Sequence, residues 1–171
     1  MEPALNDTGA SQPQTLDGHT AFAAQALQLV RGARSELLLL SDSLQRSLYG
    51  SEDFADAVKG FLLGNERARI CVFVGRPQEA LRNVPHLLEL SRRLSSRFEF
   101  REPSEQQVAA GGNRSEWLLA DRRVLLERRE PESLEARYWA QEPQRGKLRG
   151  EAFDALWNEA QPAQELRGLD I

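Results

Sequence analysis

Helical and strand spacings of apolar residues alternate along most of the chain. Over residues 17–32, Phe22, Ala26, Leu27, Leu29 and Val30 recur at helical intervals. Asp17 stands at the N-cap position and Gly32 at the closing one. Residues 35–41 (SELLLLS) form a short continuous apolar run, the mark of a strand buried on both faces. A loop is predicted for 42–50. Ser51, Glu52 and Asp53 then open a helix in which Phe54, Ala57, Val58, Phe61 and Leu62 share one face, and Gly64 with Asn65 stops it. Residues 69–75 (RICVFVG) read as a second strand rich in β-branched and aromatic side chains. A third helix starts at Pro77 and is bent or divided at Pro85.

Residues 97–101 (RFEFR) alternate with period two and predict a strand with one wet face. After a loop at 103–113, residues 117–120 and 124–126 flank a turn at Asp121, Arg122 and Arg123, which predicts a hairpin. Residues 137–139 suggest one more strand, 142–150 a polar loop, and 151–160 a helix that buries Phe153, Leu156 and Trp157. Strand, helix, strand, helix, strand, hairpin and closing helix describe an α/β sandwich with a mixed, partly parallel sheet flanked by helices. One domain over 17–162 is expected, with a disordered lead-in at 1–16 and a loose tail at 163–171.

Composition narrows the classes. At 171 residues the chain suits one domain, and its longest apolar run, 37–40, is far shorter than the roughly 18 residues a membrane span needs. The first residues are neither basic nor followed by an apolar stretch, so a cytoplasmic protein without a secretory leader is expected. A single cysteine, Cys71, excludes an internal disulfide and a multi-cysteine zinc site. Net charge is −4, and 20 of the 22 basic residues are arginine. Residues 67–150 carry a net +5 while the remainder carries −9. Arginine's planar fork suits phosphate and carboxylate. Yet Arg128 and Arg129 are bracketed by Glu127 and Glu130, the pattern of a solvated mixed-charge face.

The common catalytic motifs are mostly absent from the sequence. Neither G-x-G-x-x-G nor a Walker pattern is present, and no G-x-S-x-G elbow supports serine hydrolase chemistry. The two histidines, His19 and His86, are far apart, so no cofactor or metal is expected. Cys71 sits in an apolar strand, where a thiol behaves as a small hydrophobe. Asp42 and Ser43 follow the first buried strand and Arg76 follows the second. Open α/β sheets bind ligands outside such strand ends, so these three form a candidate pocket. The alternative is that Asp42 and Ser43 serve loop backbone groups.

The element order resembles one half of the phospholipase D superfamily. In active members the hairpin carries His, any residue, Lys, four residues, Asp; the histidine becomes phosphorylated and the lysine binds phosphate. The corresponding stretch here runs from Arg114 through Glu116 to Asp121, so arginine replaces the histidine and glutamate the lysine. A guanidinium stays protonated and cannot form the covalent intermediate. The stretches 35–47, 67–77, 86–103, 117–129 and 153–162 are also similar to an uncharacterised bacterial domain family. That family is found alone or behind an acetyltransferase domain and resembles a catalytically silent member of the superfamily.

The resemblance implies a phospholipase D-like fold without phosphodiesterase activity, with a binding, regulatory or assembly role. Because active relatives join two halves, it also implies a homodimer or a protein partner such as an acetyltransferase. Two other readings stay open. One is an enzyme or binder for a small phosphorylated ligand through Asp42, Ser43 and Arg76. The other is weak nucleic-acid binding through Arg122, Arg123, Arg128 and Arg129, disfavoured by the overall acidity.

Overall fold

A computed structural model describes residues 12–112, 115–130 and 132–167. In chain order the elements are β1 (Gln14–Asp17), α1 (Gly18–Gly32), β2 (Glu36–Ser41), α2 (Arg46–Tyr49), α3 (Glu52–Leu63), β3 (Arg69–Val74), α4 (Pro77–Asn83) and α5 (Pro85–Arg93). They continue with β4 (Phe98–Glu102), α6 (Glu105–Ala109), β5 (Glu116–Ala120), β6 (Val124–Arg128), β7 (Glu135–Trp139), α7 (Pro143–Glu159), β8 (Gln161–Pro162) and α8 (Gln164–Arg167).

The strands form one mixed sheet in the order β1-β7-β6-β5-β2-β3-β4-β8. β2, β3 and β4 run parallel, and the hairpin strand β5 joins β2 antiparallel. Leu39 therefore lies beside Val72 on one flank and Leu118 on the other. Side chains alternate across this sheet. Leu37, Leu39, Ile70, Val72, Leu118 and Leu126 face a core shared with Phe22 of α1, Val58 of α3 and Leu88 of α5. Leu38, Leu40, Phe73, Trp117, Leu119, Leu125 and Trp139 face the other way, against Phe153, Leu156 and Trp157 of α7. The apolar run in β2 is thus covered on both faces, as its pattern predicts.

Several boundaries differ from the sequence reading, each for a physical reason. Residues 14–16, placed in a disordered lead-in, belong to β1, which pairs with β7 and buries only Leu16. One inward side chain in a four-residue edge strand leaves no pattern to detect. Asp17 precedes α1 but makes no side-chain cap; Gly18 N–H donates instead to the Leu134 carbonyl at 2.7 Å. The loop at 42–50 contains α2, and the loop at 103–113 contains α6, a single exposed turn held by a Ser104–Gln107 capping box.

Residues 143–150, expected as loop, are the first half of α7. Their buried positions are Gly146 and Gly150, so the packed face carries no side chain and gives no apolar period. A Cβ on Gly146 would collide with the Arg122 carbonyl, which is why the helix approaches the hairpin turn so closely. The expected loose tail includes α8, where Leu166 is buried beside Ala163. Pro85 divides the third helix into α4 and α5, as expected. Among the described residues, no helix is long and apolar enough to cross a membrane.

Candidate functional site

The open end of the β5–β6 hairpin carries a buried ion pair. Glu116 and Arg128 are cross-strand partners, 1% and 2% exposed, on the same face as Leu118 and Leu126. Tyr49 Oη of α2 donates to Glu116 Oε2 at 2.7 Å, and Ser41 Oγ at the end of β2 donates to Oε1 at 3.1 Å. Arg128 Nη2 lies 4.0 Å from Glu116 Oε1 and donates to Gln45 Oε1 at 2.9 Å; its Nη1 donates to the Ser133 carbonyl at 3.2 Å. Burial pushes the Glu116 carboxyl up from its ordinary range, opposed by the Tyr49 and Ser41 hydroxyls and the Arg128 charge. Burial also holds the Tyr49 phenol well above its usual value, and Glu116 adds to the effect.

Asp42, Ser43 and Arg76 meet at the carboxyl ends of β2 and β3. Arg76 Nε and Nη2 donate to Asp42 Oδ2 at 3.0 and 2.6 Å, and Nη1 donates to Glu79 Oε1 at 2.7 Å. The hydrogen bond to Asp42 raises the Arg76 pKa. A Cβ on Gly75 would lie 2.8 Å from Asp42 Oδ1, so a side chain there would push the Asp42 carboxylate out of its present place beside Arg76. Ser43 is buried, and its carbonyl accepts from Asn83 Nδ2 at 3.0 Å. The next residue, Leu44, has φ 54°, a left-handed conformation that costs about 1–2 kcal/mol. Complete burial of its side chain and donation from its N–H to Ser41 Oγ at 3.0 Å hold it there.

These two groups share one cavity of about 380 Å³, lined by Asp42, Ser43, Arg76, Glu116 and Arg128 among others. The strand-end candidates and Glu116, singled out on separate grounds, therefore line one cavity. Asp42, Glu116, Glu130 and Glu132 all line it. Arg76 is neutralised by Asp42 and Glu79, so the wall offers an incoming phosphate little net attraction.

Asp121 has a different task. At the hairpin turn, Asp121 and Arg122 both take positive φ, 52° and 54°, the geometry of a type I′ turn. The Asp121 carboxylate accepts from the Arg34, Ser35 and Glu36 backbone N–H groups at 2.9, 2.8 and 2.9 Å and from Ser35 Oγ at 2.9 Å. It ties the hairpin to the start of β2. Burial alone would raise its pKa, but these four donors outweigh burial and hold it below the ordinary value. Asp121→Ala is expected to cost about 1–2 kcal/mol at neutral pH, the low end for charged hydrogen bonds because water reaches the site. A depressed pKa gives stability that is present above the unfolded value of about 3.9 and lost as pH falls through the folded value. The gap between wild type and variant in urea midpoint should therefore close below about pH 4.

Arg114 lies outside the described residues. Of the arginines considered for nucleic acid, Arg122 donates to Glu36 at 2.8 Å and to Asp154 at 3.0 Å. Arg128, expected on a charged surface, is instead buried, while Arg123 and Arg129 are exposed. The period of two from Leu126 places Arg128 on the core face, a signal that its charge obscures. Tyr49 and Gln45 were missed because they sit in a stretch without strand or helix period. His19 Nδ1 is 2.7 Å from Ser47 Oγ, and His86 lies on α5. Burial pushes the Cys71 thiol up to about 11, consistent with an inert core residue.

No protein of curated function matches the chain in sequence. Solved structures match in shape. Nuc from Salmonella typhimurium, a phospholipase D family member, is 11% identical with TM-score 0.61, covering 88% of this chain and 98% of its own. NucT from Helicobacter pylori is 8% identical with TM-score 0.59 over the same shares, 88% and 98%. TrmBL2, an archaeal chromatin protein whose structure is described as showing a novel mode of DNA binding, is 14% identical with TM-score 0.65. That match covers 93% of this chain and only 57% of TrmBL2. At such identities the likeness is one of fold, and the fold is a phospholipase D-like α/β sandwich. The family model that fits the sequence itself runs over residues 18–169, from the first residue of α1 to beyond α8, and by that match the chain belongs to the family described as domain of unknown function DUF7931.

Proposed function

We propose that this domain is a non-hydrolytic phospholipase D-like module whose role is binding, regulation or assembly. The observation that carries the reading is the state of Glu116. At the position where active members place a phosphate-binding lysine, this chain has a carboxylate enclosed by Tyr49, Ser41 and Arg128. Its lone pairs are directed into the fold, and its charge would repel a phosphate. Arginine at position 114 adds a chemical reason, since a guanidinium does not become a nucleophile at neutral pH. Assembly as a homodimer, or with an acetyltransferase, and a cytoplasmic location belong to the same reading.

The purified protein is expected to hydrolyse bis-p-nitrophenyl phosphate no faster than buffer. Turnover that follows the protein peak through size-exclusion chromatography in independent preparations would overturn the reading. The competing reading, weak DNA binding, draws support from the fold shared with TrmBL2. Against it, of the four arginines around the hairpin, Arg122 is committed to Glu36 and Asp154 and Arg128 is buried. Only Arg123 and Arg129 of that group could meet a phosphate backbone, which predicts a shallow salt dependence for them.

A further inference from the structure

On the sheet face that carries α7, β6 and β7 change character along their length. Leu125 and Trp139 are opposite each other and buried; one side-chain repeat further, Glu127 is opposite Arg137. Arg129 follows directly after the end of β6, at the rim between this face and the Glu116 cavity, and Arg145 and Arg149 reach over from α7. Together they line a cleft of about 400 Å³. Arg149 Nε donates to Glu127 Oε2 at 2.6 Å, so that carboxylate is already engaged. Arg145 lies over the Trp139 ring, its Cζ 4.5 Å from the centroid, which holds the guanidinium in place by a cation–π contact. Among the described residues, no carboxylate comes within 4.0 Å of the guanidinium nitrogens of Arg129, Arg137 or Arg145.

Elsewhere among the described residues, Arg69, Arg76, Arg93 and Arg101 each have an acidic partner, while exposed arginines without one, such as Arg67 and Arg92, also occur. What distinguishes this cleft is that Arg129, Arg137 and Arg145 line it together. Even with Glu127 and Glu135 counted, the cleft has an excess of positive charge. Like charges gathered on rigid elements repel one another while the cleft is empty, and a bound anion removes that repulsion. We propose that this cleft binds a small, multiply charged phosphate ligand. Arginine forks match phosphate oxygens in pairs, and the volume falls in the small-ligand range of about 300–1,000 Å³. The inference goes beyond the non-hydrolytic reading. Arg128 and Arg129 line both this cleft and the Glu116 cavity, but Arg137, Arg145 and Arg149 line only this one, so a phosphodiesterase assay does not decide whether the cleft binds phosphate.

Inorganic pyrophosphate is the probe, titrated calorimetrically into the full chain against sodium chloride of matched ionic strength. One-to-one binding is expected, weakened about tenfold or more by Arg137→Gln, the loss of a charged hydrogen-bonding partner. Arg137→Lys, which keeps the charge and loses the fork, should recover only part of the affinity. Arg129→Gln combined with Arg145→Gln alters two exposed side chains. It should give a similar loss, and it carries the test if Arg137→Gln does not fold. No binding beyond that of chloride, or equal binding by every folded variant, overturns the proposal. So does tight binding of a single-stranded DNA 20-mer that pyrophosphate cannot displace, which would make the cleft a nucleic-acid surface.

Discussion

Replacing Glu116 by lysine, the residue that the resemblance to active phospholipase D members implies for that position, is expected to unfold the protein rather than move it toward hydrolysis. The substitution places a second cation beside Arg128, whose Nη2 is 4.0 Å from the present carboxylate, in a site with almost no access to water. It also leaves the Tyr49 and Ser41 hydroxyls without their acceptor. Removing one partner of a buried ion pair costs about 3–5 kcal/mol, a large share of the roughly 5–15 kcal/mol that a domain has in total. Urea denaturation followed by tryptophan fluorescence should show a large drop in midpoint, or no folded baseline.

Glu116→Gln keeps an acceptor for Tyr49 and should fall between lysine and wild type. Its pH profile is informative as well. Because burial raises the folded pKa of Glu116, the glutamate's contribution should decline as pH rises from the unfolded value of about 4.3 toward the folded one. The glutamine variant should lack that slope. A lysine variant with the wild-type midpoint would show that this network is not structural, and the argument from Glu116 to a silent site would lose its footing.

The parts of the fold that were legible in the sequence share one property: they bury side chains at a regular interval. β2, β3, α3 and the hairpin are all of this kind. What was not legible lies where burial is achieved without apolar side chains. The first half of α7 packs through Gly146 and Gly150, and β1 contributes only Leu16. The site divides in the same way. Asp42, Ser43 and Arg76 were accessible because strand ends in a parallel sheet converge whatever the loops do. Tyr49 and Gln45 reach Glu116 and Arg128 only through α2, whose single turn shows no period, and through the left-handed Leu44 before it. Asp121 was readable as a turn residue, but its four donors come from residues 34–36, which only the folded sheet brings to it.

Truncating Phe153 to alanine is expected to be nearly as damaging as the lysine substitution, at about 3–5 kcal/mol. Phe153, Leu156 and Trp157 fall on one helix face, and the sequence treats them as equally buried. The structure ranks them. Phe153 is 1% exposed, with its ring 5.8 Å from Trp117 and 5.5 Å from Trp157, whereas Leu156 and Trp157 are half-buried. Among the described residues of α7, Phe153 is the large side chain fully enclosed between the helix and the sheet. Its loss opens a cavity over Leu38, Leu40 and Trp117 that helix and strands on either side cannot close. Trp157 rests between Phe153 and the Arg101 guanidinium, 4.4 Å from its ring, and the Trp157 carbonyl accepts from Arg101 Nη1 at 2.8 Å. Because its ring keeps part of its area in water, Trp157→Ala should cost about half as much as the phenylalanine change. Urea midpoints of the two variants, measured side by side with dye binding to exposed apolar surface, test the ranking. Equal losses would mean that the three residues act as one buried face. A Trp157→Ala variant with wild-type stability and altered light-scattering mass would instead mark Trp157 as an anchor for a partner.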